Sequence, residues 1–232
     1  MLAKEAQPGV TTAKLDRLAE EFIRSRGATP TFLGYHGFPA SICASPNDMV
    51  VHGIPNSRKI LKGDILSLDV GVTLEGYVAD SAITLAIGEV EADTHRLLDV
   101  TAESLEAGLA QCVEGRRLGD ISHAVQEVVE AAGFSVVRSL VGHGVGREMH
   151  EDPQIPNYGD PGRGPRLEEG MVFAIEPMVN VGGYEVFIED DGWGISTSDG
   201  SLSAHFEHTV AVGKKRPRIL TRRASELHGG RE

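Results

Sequence analysis

Hydrophobic residues recur at the spacing of one helix face in three segments of the chain. The first is LDRLAEEFIRSR, with apolar residues at positions 15, 18, 22 and 23, and Thr11 or Thr12 can cap it. The second covers residues 92–112, and the third begins near Asp120 and closes at Gly133. The pattern therefore predicts three helices, each with one face in the core.

Runs of β-forming residues lie between and after these helices. DILSLDVGV and YVADSAITLAI predict a hairpin that turns at TLEG, and FSVVRSLVG, GMVFAIEPMV and AHFEHTVAV predict later strands. The segment TPTFLGYHGFPASIC is too irregular for a helix. Its aromatic and glycine residues suit the lining of a pocket instead.

Two of the strand segments echo each other. LKGDILSLD (61–69) and LEEGMVFAIE (167–176) both place an acid six residues after a glycine, and Asp80 and Glu207 each begin a further β-type run. The echo indicates an internal duplication in which each half contributes one pair of carboxylates. Two short strands can also look alike through composition alone.

Composition limits the class of protein. The 232 residues are 41% hydrophobic and 24% charged, which is typical of a globular domain with a substantial core. No stretch approaches the roughly 18 apolar residues of a membrane span, and MLAKEAQPGV lacks the apolar core of a signal peptide. Cys43 and Cys112 give no disulfide framework, so we expect a cytoplasmic protein. No low-complexity linker interrupts the chain, and we expect one compact domain over 1–232 with halves of about 1–115 and 116–232.

The net charge of -12 argues against binding to DNA or to nucleic acids in general, because phosphate contact needs a basic surface. The exception is a basic tail at 214–232, where KKRPR is followed by Arg222 and Arg223. Such a tail is usually solvated, and contact with a ribosome or RNA is the alternative.

Four acids and one histidine at the ends of apolar β-type runs form a candidate metal site: Asp69, Asp80, His143, Glu176 and Glu207. Isolated acids in strands are more often surface residues, but Asp69 and Glu176 lie in strands with few polar positions. An acid in such a run is costly to bury alone, and a cation removes that cost. Oxygen donors with one imidazole suit two divalent cations and favour manganese, iron or cobalt over a thiolate-rich zinc site.

The glycine-rich segment VGHGVGREMHEDP holds two histidines, His143 and His150. It is a weak candidate for a phosphate loop, because no lysine follows and no βαβ unit frames it. Glycine on each side of His143 lets the backbone approach a crowded site, and Glu151 can fix the ring of His150. His52, in VVHGIP, is a third candidate for chemistry. The remaining histidines are assigned no chemical role: His36, His95, His123, His205, His208 and His228.

Five segments together resemble the methionine aminopeptidases, most closely type I: FLGYHGFPASICASPNDMVVHGIP, SLDVGVTLEGYVAD, GHGVGREMHEDP, FAIEPMV and SAHFEHTV. The likeness runs from about Pro8 to Thr221. Prolidases and creatinases share the five ligand positions, whereas HGIP and FLGYHGFP have a narrower distribution. The segment 177–206 is too short for the helical insertion of type II members. Type I chains normally begin with a further helix, which we expect to be absent here.

The resemblance implies an α+β pita-bread fold, with two pseudo-symmetric halves and a curved antiparallel sheet covered by helices. It also implies two divalent cations per chain, with cobalt, manganese, iron, zinc and nickel all open. Asp69 would bind one ion alone, Asp80 and Glu207 would bridge both, and His143 and Glu176 would complete the other. Asn47 and Ser203 match positions that hold a monovalent cation in some relatives.

The resemblance further implies the catalytic and substrate-binding residues. Glu176 matches the residue that moves the proton, His150 the one that polarises the scissile carbonyl, and His52 the one that contacts the scissile amide nitrogen. Six further residues stand at positions that line the methionine pocket, although each could equally be ordinary core: Phe32, Tyr35, Phe38, Cys43, Met149 and Trp193.

The implied function is removal of the initiator methionine from nascent polypeptides, by a monomer, when the second residue is small. One alternative is a related dinuclear enzyme that cleaves at proline, a Xaa-Pro aminopeptidase or prolidase. Such enzymes generally carry a further N-terminal domain and lack HGIP. A second alternative is a metal-free binding protein of the same fold, but such relatives typically lose one or more of the five ligands.

Overall fold

The computed structural model describes residues 1–223, so His228 and the end of the basic tail lie outside the described residues. The helices are α1 (Leu2–Glu5), α2 (Thr12–Ser25), α3 (Ala92–Leu109) and α4 (Leu118–Ala131), with a 3₁₀ turn at Tyr35–Gly37. The first strands are β1 (Thr29–Pro30), β2 (Cys43–Pro46), β3 (Met49–Val51), β4 (Ile65–Leu74), β5 (Tyr77–Ala86), β6 (Ser135–Val136), β7 (Gly142–Gly144) and β8 (Glu151–Ile155). The later strands are β9 (Val172–Ile175), β10 (Met178–Asn180), β11 (Val186–Ile188), β12 (Ile195–Thr197), β13 (Ser203–His205), β14 (His208–Ala211) and β15 (Arg218–Ile219).

The three predicted helices are present as α2, α3 and α4. Thr11 is the N-cap of α2, because its side-chain oxygen accepts a hydrogen bond from the Lys14 backbone N–H. Leu15 and Ile23 are buried as expected. The core position assigned to Phe22 is wrong, since its side chain is 43% exposed and the Arg26 guanidinium packs over its ring.

The helices lie outside the sheets, and the strand pairs of the described residues are antiparallel. Strand alternation decides which side chains meet the helices. Phe173 and Ile175 of β9 pack in the same core as Leu97 and Leu109 of α3, whereas Ala174 between them joins an aromatic cluster on the other face. None of the helices within residues 1–223 is long and apolar enough to span a bilayer.

The predicted hairpin is β4 and β5, which pair continuously from Ile65 opposite Ala86 to Leu74 opposite Tyr77. Asp69 pairs with Ala82, and Gly71 pairs with Asp80 two positions further along. Both acids therefore project from the same face of the hairpin.

The later strands form a second hairpin, but each of its predicted strands is broken in two. β9 pairs with β14 up to Ile175 opposite His208, and β10 pairs with β13 from Met178 opposite His205. One register runs through both ladders, and the gap between them holds Glu176, Pro177, Phe206 and Glu207. A proline cannot donate to a ladder, which accounts for the break at Pro177.

The two similar sequence segments, 61–69 and 167–176, form equivalent turns at the start of these hairpins. Gly63 donates to Ile87 O at 2.9 Å, and Gly170 donates to Val212 O at 3.0 Å. Both glycines have positive φ, +93° and +91°, which L side chains rarely adopt.

Counting from these turns along the registers, Glu176 corresponds to Asp69, as expected. The expected match of Asp80 with Glu207 is wrong by two residues. Glu207 corresponds to Ala82, and the residue that corresponds to Asp80 is His205.

Candidate functional site

A cavity of about 240 Å³ lies between the two hairpins. All the residues predicted for the site line it, together with His36, which the sequence analysis left without a role: Phe32, Tyr35, His36, Phe38, Cys43, His52, Asp69, Asp80, His143, Met149, His150, Glu176, Trp193 and Glu207. The four acids meet at one end, and the aromatic residues line the remainder.

The acidic end of the cavity has the donors that a divalent cation needs. Ligand atoms of Asp80, His143 and Glu207 all lie within 4.8 Å of one another. Asp69 Oδ1 and Glu207 Oε1 are buried and have no hydrogen-bond partner among residues 1–223. Buried oxygens of this kind are costly unless a cation or proton satisfies them. Carboxylate oxygens with one imidazole suit hard and borderline divalent ions, so the residues fit such a metal.

The electrostatics of the acids support the same conclusion. Burial, followed by the charge of Asp80, raises the pKa of Glu176 and of Glu207 well above the usual value. The same two causes raise the pKa of Asp69, and burial raises the pKa of Asp80 to about 7. Without a cation the cluster therefore holds protons near neutral pH, because four like charges in one buried place repel each other.

His143 is held in the orientation of a metal ligand. Its Nδ1 lies 2.9 Å from the Gly144 carbonyl, which can only accept, so Nδ1 donates and Nε2 carries the free lone pair. Burial lowers the pKa of His143 to about 4 and keeps the ring neutral. A Cβ at Gly142 would lie 2.4 Å from Ala174 O, and one at Gly144 would lie 2.4 Å from Asp152 O. The expected close backbone approach on each side of the ring is confirmed.

Glu176 lies between two imidazoles at the break between β9 and β10. Its Oε1 is 3.5 Å from His143 Nε2, and its Oε2 is 3.8 Å from His205 Nε2. Its carbonyl accepts a hydrogen bond from Nδ2 of buried Asn157 at 2.9 Å. The sequence analysis did not single out Asn157, which lies outside the segments that carry the resemblance. It named His205, which lies within SAHFEHTV, but assigned it no chemical role.

His150 lies at the mouth of the cavity, where Tyr35 orients it. The Tyr35 hydroxyl is 2.8 Å from His150 Nδ1, and the two rings are stacked with centroids 5.5 Å apart. The expectation that Glu151 fixes this ring is wrong. The Glu151 carboxylate turns away and accepts from the backbone N–H groups of Arg147 and Glu148 at 2.7 and 3.0 Å, which closes the loop.

His52 takes part in the same electrostatic network. Its backbone has a positive φ of 59°, an uncommon conformation for a residue other than glycine. The protein packed around it, followed by the His150 ring, lowers its pKa. Both rings are therefore neutral at pH 7.

The apolar end of the cavity is an aromatic pocket. Phe38 packs edge-on against Phe32, with centroids 6.5 Å apart, and against Trp193, with centroids 5.1 Å apart. Cys43 and Met149 are buried in the same cluster. Burial raises the pKa of the Cys43 thiol, which is therefore neutral. These uncharged surfaces suit an apolar side chain of a ligand.

Two loop details position the aromatic rings. The Asp191 carboxylate accepts from the backbone N–H of Trp193 at 2.8 Å and of Gly194 at 2.9 Å, which fixes the turn that carries the indole. A Cβ at Gly71 would lie 2.5 Å from Phe32 Cε1. The glycine therefore lets Phe32 pack directly on the strand that carries Asp69.

Asn47 and Ser203, the predicted monovalent-cation pair, lie side by side. The Ser203 backbone N–H donates to the Asn47 carbonyl at 2.9 Å. Asn47 Oδ1 already accepts from the Ile65 N–H at 3.0 Å, and the Ser203 hydroxyl donates to Val179 O at 3.3 Å. The side-chain oxygens of both residues thus have partners within the protein.

The described part of the basic tail is attached to the body of the protein. β15 pairs with β14. The Arg222 guanidinium hydrogen-bonds both carboxylate oxygens of Glu106, and Lys214 Nζ lies 3.2 Å from Glu169 Oε2. Lys214, Lys215 and Arg216 are exposed.

Comparison with known proteins identifies the family. Residues 1–214 match the metallopeptidase family M24. A methionine aminopeptidase of Clostridium acetobutylicum is 57% identical over 222 residues, which covers 95% of this chain and 89% of that protein. Methionine aminopeptidase 1 of Bacillus subtilis is 53% identical over 221 residues, covering 95% and 89%. The chain belongs to the M24 metallopeptidases, among the methionine aminopeptidases.

Solved structures confirm the pita-bread fold predicted from the resemblance. The crystal structure of methionine aminopeptidase from Thermotoga maritima has a TM-score of 0.94 at 46% identity, covering 96% of this chain and 90% of that one. Prolidase from Pyrococcus furiosus has a TM-score of 0.76 at 20% identity and shares the fold alone, over 96% of this chain and 58% of its own. Membership of a metallopeptidase family and the cluster of Asp80, His143 and Glu207 together support binding of a divalent metal.

Proposed function

We propose that this protein is a methionine aminopeptidase that removes the initiator methionine from nascent polypeptides when the second residue is small. The observation that carries the proposal is the cavity itself, in which a buried cluster of metal-type donors adjoins an aromatic pocket. Methionine aminopeptidases 57% and 53% identical over nearly the whole chain support it. The prolidase likeness, at 20% identity, carries no argument about substrate.

The cations would be held by the five residues at the acidic end of the cavity: Asp69, Asp80, His143, Glu176 and Glu207. We assign two divalent cations to these residues, because the positive charges of two such ions balance the negative charges of the four carboxylates. When bound, such cations lower the pKa of a water molecule and polarise a carbonyl. Cobalt, manganese, iron, zinc and nickel are all compatible with this donor set. Asp69 would bind one ion alone, with Asp80 and Glu207 shared between both.

Glu176 is the proposed proton carrier. It accepts a proton from the attacking water and passes it to the leaving amine. Burial, which raises its pKa, suits a carboxylate that must hold a proton for part of the cycle. Asn157 fixes the backbone from which this carboxylate projects.

His150 and His52 are proposed to act on the scissile peptide bond. We assign the Tyr35 hydroxyl, 2.8 Å from Nδ1, as the donor of this hydrogen bond. The proton of neutral His150 is then on Nε2, which can donate to the carbonyl oxygen as negative charge develops there. Burial, followed by His36, lowers the pKa of His150 and keeps this tautomer neutral. His52 would contact the amide nitrogen of the same bond.

The methionine side chain would occupy the aromatic pocket formed by Phe32, Phe38, Cys43, Met149 and Trp193. An unbranched thioether makes favourable contacts with ring edges. Tyr35 would line the mouth. A tight site beyond the scissile bond would reject a bulky second residue.

Comparison of two peptides tests the proposal. The purified protein, loaded with Mn²⁺, is expected to hydrolyse Met-Ala-Ser faster than an Ala-Pro peptide. Excess EDTA is expected to abolish the activity. Faster cleavage before proline would establish a Xaa-Pro peptidase instead, and full activity in excess EDTA would refute the metal-dependent mechanism.

The setting of this activity is also a proposal. The protein would act as a cytoplasmic monomer on chains that emerge from the ribosome, with transient contact through exposed Lys214, Lys215 and Arg216. Asn47 and Ser203 would hold one monovalent cation. Co-sedimentation of ribosomes with the protein and with a variant carrying Glu at 214–216 would test the contact.

A further inference from the structure

The centre of the molecule is a junction in which two matching clamps join β5 to β14 and to β13. The Thr209 hydroxyl donates to the Asp80 carbonyl at 2.8 Å and accepts from the Asp80 N–H at 2.9 Å. The Thr84 hydroxyl donates to the His205 carbonyl at 2.9 Å and accepts from the His205 N–H at 2.8 Å. Between the clamps, the Glu207 N–H donates to Ala82 O at 3.0 Å. The two clamps thus occupy equivalent positions in the two hairpins.

This symmetry gives His205 the place in the second half that Asp80 has in the first. The same correspondence follows independently from the register, in which the pair Met178–His205 matches the pair Gly71–Asp80. Asp80 projects into the acidic end of the cavity. His205 has the equivalent position in the opposite half, where its ring lies beside Glu176.

The His205 ring has no hydrogen-bond partner among residues 1–223. The residue is 2% exposed, and both Nδ1 and Nε2 are buried and unsatisfied. A buried polar group in this state costs free energy, so a native partner is expected. The ring faces Glu176, with Nε2 3.8 Å from Oε2.

A comparison with His143 separates the two functions that His205 could have. Histidines that bind metals almost always donate their second ring nitrogen to a carbonyl or carboxylate. His143 does so through the Gly144 carbonyl, but neither nitrogen of His205 has such an acceptor. Nothing therefore fixes the His205 tautomer that would leave Nε2 as a metal ligand, and Nε2 is available as a donor.

We propose that His205 is a positioning residue that donates from Nε2–H to Oε2 of Glu176 and so directs Oε1 toward His143 and the reacting water. The inference rests on the proposed function of Glu176 as proton carrier. The 3.8 Å separation is longer than a hydrogen bond, and such contacts in active sites often tighten only when the substrate is bound.

Three substitutions at position 205 and one matched control test the proposal. His205→Leu removes the donor, His205→Gln places an N–H near the position of Nε2, and His205→Asn places one nearer to Nδ1. His95→Leu makes the same chemical change on an exposed face of α3. Each variant is assayed for kcat and KM on Met-Ala-Ser with Mn²⁺, and its Mn²⁺ affinity is measured by calorimetry.

His205→Leu is expected to lower kcat by about 10- to 100-fold, with KM changed less than about threefold, and to weaken Mn²⁺ binding by about tenfold. His205→Gln should restore both quantities to within about threefold of the wild type, whereas His205→Asn should resemble the Leu variant. His95→Leu should match the wild type. If His205→Leu fails to fold, the Gln and Asn variants alone decide the question.

Two outcomes would overturn the proposal. Wild-type kcat and Mn²⁺ affinity in His205→Leu would mean that the ring has no positioning effect. Equal damage in the Gln and Leu variants would mean that the imidazole itself is needed, as a ligand or for its shape. If the wild type failed to cleave Met-Ala-Ser, the proposed function would fall, but the calorimetric comparison would still test whether His205 supports the metal site.

Discussion

The two hairpins at the centre share a turn and a register, but they differ in continuity. β4 and β5 are unbroken strands of ten residues each, and Asp69 and Asp80 project from the intact ladder. The second hairpin is interrupted where it reaches the cavity, and Glu176 and Glu207 lie in the gap. One half thus offers short acids on a rigid frame, and the other offers longer acids on a backbone held by side chains.

This difference indicates that the acids of the two halves have different functions. An acid on an intact ladder keeps a fixed position, which suits a residue that only binds metal. A glutamate at a break, anchored at its carbonyl by Asn157 and flanked by His143 and His205, has a longer side chain with two separately contacted oxygens. Such a residue can bind a cation and also carry a proton.

The largest expected effect comes from removing a charge on the rigid half. Asp80→Asn keeps the size of the side chain but removes the carboxylate that lies within 4.8 Å of His143 and Glu207. Activity on Met-Ala-Ser should fall to background and Mn²⁺ binding should be lost, as measured by peptide assay and calorimetry. Asp99→Asn, on an exposed face of α3, is the control and should behave as the wild type. Substantial activity in Asp80→Asn would remove Asp80 from the metal site.

The corresponding substitutions Asp69→Asn and Glu176→Gln sharpen the comparison. Glu176→Gln should lower kcat by about 10²–10⁴-fold even at saturating Mn²⁺, because it removes the proton carrier. Asp69→Asn should act mainly on Mn²⁺ affinity, so that excess metal restores much of the rate. A loss of kcat in Asp69→Asn that no metal concentration repairs would contradict the division between the halves.

The two threonine clamps provide a more subtle comparison. Thr209→Val and Thr84→Val each remove one donor and one acceptor from a buried junction, and each should destabilise the protein by about 1–3 kcal/mol in urea unfolding. Thr209→Val loosens the backbone of Asp80 and should weaken Mn²⁺ binding more than Thr84→Val does. Equal affinities in the two variants, at equal loss of stability, would show that the clamps do not act separately on the halves.

The smallest effect concerns pH and requires no substitution. In the metal-free protein, the carboxyl pKa values of the cluster are raised above their unfolded values, and that of Asp80 is about 7. The bound protons therefore stabilise the folded state, and this stability is lost as the pH rises through the folded pKa values. Burial lowers the pKa of His143 to about 4 and that of His205 to about 3. Their contribution to stability rises with pH, but only below the unfolded histidine pKa near 6.5, so it does not oppose the fall above that pH. The Tm of the metal-free protein should therefore fall by roughly 3–6 °C between pH 6.5 and 8.

Saturating Mn²⁺ should cancel this fall in Tm, because the cation replaces the protons. A Tm of the metal-free protein that is flat or rises over the same range, measured by scanning calorimetry, would mean that the acids are not protonated together. The buried cluster would then need another explanation for its unsatisfied oxygens.

The resemblance to the methionine aminopeptidases predicted the residues that line the cavity, whereas composition and spacing alone left the aromatic pocket residues open as ordinary core. The contacts that orient them depend on distant parts of the chain. Tyr35 and His150 are 115 residues apart, and Thr84 and His205 are 121 apart. No local pattern indicates that Tyr35, rather than the adjacent Glu151, reaches the ring of His150.

The predicted correspondence between Asp80 and Glu207 was wrong for a related reason. Asp80 and Glu207 look equivalent when each is taken as the start of a β-type run. Only the paired register shows that Glu207 corresponds to Ala82 and that His205 corresponds to Asp80. A shift of two residues keeps every side chain on its face, so hydrophobic alternation could not reveal it.

Anomalous diffraction from crystals soaked in Mn²⁺ tests the central claim most directly. The account predicts two neighbouring manganese peaks at the acidic end of the cavity, bound by Asp69, Asp80, His143, Glu176 and Glu207. A cavity without manganese, or peaks away from these five residues, would contradict it.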